Sequence, residues 1–200
     1  MIGFIFQQII AFDQCVALFA GGIRGPLATA IFSVVTVFGS WWFALAVLLL
    51  VLFVLLRRRH YRHAAGLVIG FAGTQTFVFA MKYWIGRERP NFVEFTVLNG
   101  SLETASFPSA HSAIAMMLYG LLAYFAVSRE KRNWLNALYI ACAAVFIAAV
   151  GFSRIYLGVH YFSDVVAGFV VGAVFLCVAI WIAGKGGQRL AGRLHRNDRG

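Results

Sequence analysis

Residues 161–183 read YFSDVVAGFVVGAVFLCVAIWIA, an apolar run with a single charge, Asp164, in its first turns. A helix of roughly 20 apolar residues is what it takes to cross the hydrocarbon core of a bilayer. Working back along the chain, the stretch 134–153, the stretch 109–127 that opens just after Pro108, and the stretch 64–81 that ends on Lys82 read the same way. Residues 25–56 carry no charge, and 32–56 within them read as one further spanning helix. The chain is 62% hydrophobic and 12% charged over 200 residues. A soluble domain would be about half apolar and a quarter charged, so the surplus apolar surface belongs in lipid. The expected fold is all-α: a polytopic membrane helix bundle with five transmembrane helices, forming a single domain over 1–200. Residues 2–22 are apolar but interrupted by Gln7, Gln8, Asp13 and Gln14. An aspartate at the bilayer centre costs about 2.5–3.5 kcal/mol on insertion scales, so a helix lying on the surface is favoured over a sixth crossing.

Cys15, Cys142 and Cys177 are odd in number and scattered, which indicates neither a disulfide framework nor a metal site. No Lys or Arg precedes Arg24, so the positive n-region of a cleavable signal peptide is missing. The net charge of +10 raises the question of nucleic acid, but its distribution excludes that partner. Twelve of the seventeen Lys and Arg residues fall in three clusters that flank apolar runs: Arg57, Arg58, Arg59 and Arg62; Arg129, Lys131 and Arg132; and the tail at Lys185, Arg189, Arg193, Arg196 and Arg199. With five crossings the positive-inside rule puts all three clusters in the cytoplasm. Arg24, Lys82, Arg87, Arg89 and Arg154 then fall outside. The spacings Gly66-xxx-Gly70 and Gly168-xxx-Gly172 fit close helix packing, although glycine is common in membrane helices generally.

Four of these five outward cations, all but Arg24, belong to or lie within three motifs in order: Lys82-Tyr-Trp-Ile-Gly-Arg-Glu-Arg89-Pro90, Pro108-Ser109-Ala110-His111, and Ser153-Arg154 followed by His160 and Asp164. His160 and Asp164 are four apart, on one helical face, where a carboxylate accepting one ring N–H leaves the other nitrogen free to attack. A structural pair at the interface has the same spacing. Arg154 offers a planar fork suited to phosphate oxygens, though interfacial arginines also snorkel to headgroups. Ser109 and the N–H groups that open the helix after Pro108 make an anion site, with His111 beside it to give a proton to a leaving group. Lys82, Arg87 and Arg89 surround the end of the 64–81 helix and suit a doubly charged phosphoryl group. Each signal is modest alone; their occurrence in order on one face is specific. The segment 91–107 is the one long loop, a rim for a substrate or a plain connector.

These residues resemble the type 2 phosphatidic acid phosphatase superfamily of membrane phosphatases. Its pattern is Lys-x6-Arg-Pro, Pro-Ser-Gly-His and Ser-Arg-x5-His-x3-Asp. The spacings from Lys82 to Arg89-Pro90 and from Ser153-Arg154 to His160 and Asp164 match, across about residues 30–185, with a basic tail at 185–200. Ala110 replaces the usual glycine. The resemblance implies that His160 is the nucleophile of a phosphohistidine, that Asp164 orients it, and that His111 is the general acid. It implies that Lys82, Arg89, Ser109, Ala110 and Arg154 hold the phosphoryl oxygens, the alanine through its backbone N–H. It also implies a lipid phosphate substrate and no metal or other cofactor. Within the family the short chain is most similar to compact bacterial undecaprenyl-diphosphate phosphatases of the inner membrane. Phosphatidylglycerophosphate, phosphatidic acid and lipid A phosphates are the alternatives. A protein that binds or transports anionic lipid without turnover needs no histidine nucleophile, and the vanadate-dependent haloperoxidases that share the pattern resemble soluble proteins.

Overall fold

A computed structural model describes residues 2–90, 105–128 and 131–184. Among these residues the chain is helical throughout: α1 (Ile2–Gly22), α2 (Pro26–Val37), α3 (Trp41–Arg57), α4 (Tyr61–Ile85), α5 (Ala110–Val127), α6 (Asn133–Tyr156) and α7 (Phe162–Ala183). Four of them, α4 to α7, are long and apolar enough to cross a membrane, and α2 with α3 qualify together as a fifth span. The predicted polytopic bundle is therefore present. Most of the 91–107 loop, Arg129 and the basic tail lie outside the described residues.

The fifth span differs from expectation. Residues 32–56 do not form one helix; α2 and α3 meet at a bend of 46°. Gly39 sits at the break, where a Cβ would come within 2.6 Å of Val150 Cγ1 and 3.1 Å of His111 Cβ. Close approach to α5 and α6 thus requires glycine there. Ser40 restarts the helix as its N-cap, accepting from Phe43 N at 3.4 Å. The carbonyl of Phe38 accepts from Tyr119 Oη at 2.6 Å, so the break leaves that backbone oxygen paired. Non-helical backbone at membrane depth is tolerated only when it is buried in protein and satisfied in this way.

Helix α7 is the centre of the bundle and packs on α4 and α5. Both glycine spacings lie in these interfaces. A Cβ on Gly168 would sit 2.5 Å from Ser109 O, and one on Gly172 would sit 2.5 Å from Ala113 O. A Cβ on Gly66 would meet Ala179 O at 2.6 Å. Missing side chains let the backbones touch, as small-residue interfaces do in lipid. Leu67, Ile114, Met117, Leu118 and Leu121 fill the buried core. Exposed Leu50, Phe53, Phe79, Val145 and Trp181 face outward, as lipid-contacting residues must.

Helix polarity puts the three motifs at one end of the bundle: the C-termini of α4 and α6 and the N-termini of α5 and α7. Arg57, Arg58, Arg59, Arg62, Lys131 and Arg132 are at the opposite end, where Arg62 Nη2 donates to Ile182 O at 3.3 Å. Helix α1 packs at the motif end. Its Val16 and Ala20 lie on Ile155, Val165 and Phe169, and Phe12 meets Phe162 edge-on at 5.4 Å. These contacts join α1 to the last turn of α6 and the first two turns of α7.

Candidate active site

Four local devices position the site. Helix α4 ends on Gly86, whose φ of 59° is left-handed and favours glycine, and the chain then turns to Arg87 and Arg89. Helix α5 starts from Ser109, whose Oγ accepts from Ser112 N at 3.4 Å and from Ser112 Oγ at 3.0 Å. Ala110 is the first residue of α5 and helical, so its alanine suits the backbone there. After α6 the chain reverses through Gly158, φ 72°, and both Val159 N and His160 N donate to Arg154 O, at 3.1 and 3.3 Å. That turn returns His160 to the side of Arg154. Helix α7 opens with a capping box in which Asp164 Oδ2 accepts from Tyr161 N at 2.9 Å. Ser109 N donates to Asp164 O at 3.0 Å and ties the second motif to the third.

The predicted residues converge. His160 Nδ1 is 3.4 Å from Asp164 Oδ2, and both groups are buried. Its other nitrogen, Nε2, is 3.5 Å from Arg89 Nη1, which donates to Val159 O at 2.8 Å. Arg154 is 4% exposed and donates from Nη1 to Thr36 Oγ1 at 2.5 Å; its Nε is buried with no hydrogen-bond partner. Lys82 Nζ donates to Ala105 O and to Ser106 O, the latter at 3.4 Å. His111 is close enough to Arg154, His160, Arg89 and Lys82 to feel the charge of each. Ser153, by contrast, turns its hydroxyl back to Val150 O at 2.6 Å.

Three participants, Ser106, Thr36 and Asp13, were not legible as site residues, and a fourth, Arg87, has partners other than the phosphoryl group expected of it. Ser106 is fully buried, donates to Asp164 Oδ2 and lies 3.3 Å from His160 Nδ1, so a hydroxyl stands beside the His–Asp contact. Thr36 comes from α2, 118 residues from Arg154 in sequence. Arg87, grouped in the sequence with Lys82 and Arg89, pairs instead with Asp164 and with Asp13 of α1, both at 2.8 Å. Asp13 was visible as a carboxylate in an apolar stretch, the signal of an undetected partner. Among the described residues no group of three or more His, Cys, Asp or Glu side chains is placed to hold a metal.

Burial, with Arg154 and Arg89 adding to it against the opposing pull of Asp164, pushes the His160 imidazole down to about 3. It is therefore neutral near pH 7, the state in which a ring nitrogen keeps its lone pair. The unfolded chain protonates this histidine near 6.5, so between about 3 and 6.5 the unfolded state binds the extra proton. Stability contributed by His160 is then complete above about 6.5 and is lost as pH falls toward 3. Thermal melts in detergent should show a midpoint falling below pH 6.5, with a shallower fall in His160→Gln; parallel curves would count against the neutral buried imidazole.

Fold and site together define an integral-membrane phosphatase. Residues 63–187, more than half of the chain, match the PAP2 superfamily, and the protein belongs to that superfamily. It is 30% identical over 166 residues to phosphatidylglycerophosphatase B of Bacillus subtilis (strain 168), covering 80% of this chain and 77% of the relative. It is 29% identical over 190 residues to lipid A 4'-phosphatase of Bacteroides thetaiotaomicron, covering 89% and 80%. The crystal structure of the PAP2 type phosphatidylglycerolphosphate phosphatase from Bacillus subtilis superposes with a TM-score of 0.77 at 28% identity, over 86% of this chain and 84% of that one. Aquifex aeolicus LpxE shares the fold, with a TM-score of 0.63 at 24% identity over 82% and 92%.

Proposed function

We propose that this protein removes a terminal phosphate from a membrane-anchored lipid through a phosphohistidine on His160. The observation that carries the reading is the two-sided environment of that ring: Nδ1 faces Asp164 and Ser106, and Nε2 faces the guanidinium of Arg89. In the first step Nε2 forms a bond to phosphorus and the bond from phosphorus to the lipid oxygen breaks. His111 gives a proton to that oxygen. Lys82, Arg89, Arg154 and the N–H groups at the start of α5 hold the phosphoryl oxygens as their charge grows. The unpartnered Nε of Arg154 is a ready donor for one of them. A water then attacks phosphorus, His111 takes its proton, the N–P bond breaks and inorganic phosphate leaves. No step of this scheme calls for a metal.

The relatives put phosphatidylglycerophosphate and lipid A phosphates forward as substrates, and the motif resemblance puts undecaprenyl diphosphate forward. All share a phosphomonoester or diphosphate beside an apolar anchor. A cavity of about 510 Å³ between α1, the end of α4 and Phe107, lined by Ile9, Ile10, Ile85, Arg87 and Ser163, offers apolar surface next to the site. Phosphatidylglycerophosphate stands first because the relative bearing that name is matched over most of both chains. The test is kcat/KM for phosphatidylglycerophosphate, undecaprenyl diphosphate, phosphatidic acid and a lipid A phosphate, with chelator present. Phosphate release from phosphatidylglycerophosphate at least about tenfold above the others is expected, and release from none would overturn the reading.

The cationic end opposite the site supports a bacterial inner-membrane protein with its site facing the periplasm or cell exterior. A cysteine at exposed Glu88, in a background lacking Cys15, Cys142 and Cys177, should react with an impermeant maleimide on intact cells. Reaction only after lysis would reverse the orientation.

A further inference from the structure

Two carboxylates from distant parts of the chain meet on one guanidinium. Asp13, in the middle of the otherwise apolar face of α1, is 1% exposed. Its Oδ1 accepts from Ser163 N at 2.9 Å, and its Oδ2 accepts from Ser163 Oγ at 2.5 Å and from Arg87 Nη2 at 2.8 Å. The other fork of Arg87, Nη1, donates to Asp164 Oδ1 at 2.8 Å and to Ser163 Oγ at 2.7 Å, while the guanidinium lies over the Tyr161 ring at 4.3 Å. Asp164 Oδ1 is thus held by Arg87, and Oδ2 is left to Ser106, to the Tyr161 N–H and to His160.

Charge decides what Asp13 adds. Arg87 with Asp164 alone is neutral, and a neutral pair attracts a cationic ring weakly. Asp13 supplies the second negative charge, so the cluster of Asp13, Arg87 and Asp164 carries a net charge of −1 beside His160. When Nε2 bonds to phosphorus the imidazole ring gains positive charge, which this cluster stabilises. Arg89 and Arg154 act on the same ring in the opposite sense, and Lys82 lies within reach of Asp164, so the balance at the ring is sensitive to one charge. We propose that Asp13 is a positioning residue for the reaction: through the forked Arg87 it orients Asp164 and leaves the His160–Asp164 dyad negatively charged. Helix α1 is then part of the reaction machinery.

The inference rests on the phosphohistidine reading, and its test has a readout independent of turnover. The full chain in detergent micelles is prepared as wild type, Asp13→Asn, Arg87→Lys, Arg87→Gln and the Asp13→Asn/Arg87→Gln double variant. Imidazole 15N shifts report the tautomer of His160, and phosphatidylglycerophosphate hydrolysis reports kcat and KM. Asp13→Asn and Arg87→Lys should each move the His160 shifts and lower kcat roughly 10- to 100-fold, the scale of misplacement at a reacting group, with KM within about twofold. In the Arg87→Gln background Asp13→Asn should cost much less than in the wild type. Arg87→Lys keeps the cation but cannot bridge two carboxylates, so it carries the test if Asp13→Asn does not fold. Unchanged shifts and kcat in a folded variant overturn the inference, as does a loss from Asp13→Asn that is undiminished in the Arg87→Gln background. A wild type that hydrolyses none of the lipid phosphates counts against the phosphatase reading instead, and the His160 shifts then decide the role of Asp13.

Discussion

Replacing His160 with glutamine is expected to lower kcat for phosphatidylglycerophosphate by about 10⁴- to 10⁶-fold, the range seen when a catalytic nucleophile is removed. Glutamine fills similar volume in this buried turn but has no ring nitrogen to bond phosphorus. Lys82, Arg89 and Arg154 do not depend on it for their contacts with Ala105, Val159 and Thr36, so lipid phosphate should still bind. The matching measurement is chemical trapping. Wild type quenched in alkali during turnover should carry a phosphoryl group on His160, stable to base and lost in acid, and His160→Gln should carry none. Turnover by the variant within tenfold of wild type would remove His160 from the role of nucleophile.

Asp164→Asn carries the second large effect, a fall in kcat of about 10³- to 10⁴-fold, because an amide presents the wrong partner to the ring and loses the charge that stabilises it. The substitution also reaches stability. Asp164 is fully buried and accepts from Arg87, Ser106 and Tyr161 N, so a neutral amide leaves part of that network unsatisfied. The expected loss is about 1–3 kcal/mol rather than more, since Arg87 is partly exposed and keeps Asp13. Chemical denaturation in mixed micelles measures it. Full stability with kcat reduced would separate the two roles, whereas kcat within tenfold of wild type would show that Asp164 does not orient the nucleophile.

The charge pattern and the spans agree for a physical reason. Crossing a bilayer is a local property of some twenty consecutive side chains, and the charges that flank them act at the adjacent interface. Runs such as 161–183 therefore read correctly without knowledge of their neighbours. The His160/Asp164 pair is equally local, four residues apart on one helix start. The bend at Gly39 was missed because hydropathy is blind to it: residues 32–56 are uniformly apolar on both sides of the break. What puts the break there is the approach of His111 and Val150, which come from other helices.

The same distinction runs through the site. Order, spacing and helix polarity of the three motifs are written along the chain, and they suffice to bring Lys82, Arg89, His111, Arg154 and His160 to one end of the bundle. The surroundings of the His160 ring are not written there. Ser106 reaches His160 across 54 residues, Arg87 reaches Asp13 across 74, and Asp13 reaches Ser163 across 150. Such contacts follow from the glycine-mediated closeness of α5 to α7 and from the docking of α1 on α6 and α7. Helical periodicity places a residue on a face; which side chain meets it there depends on how whole helices pack.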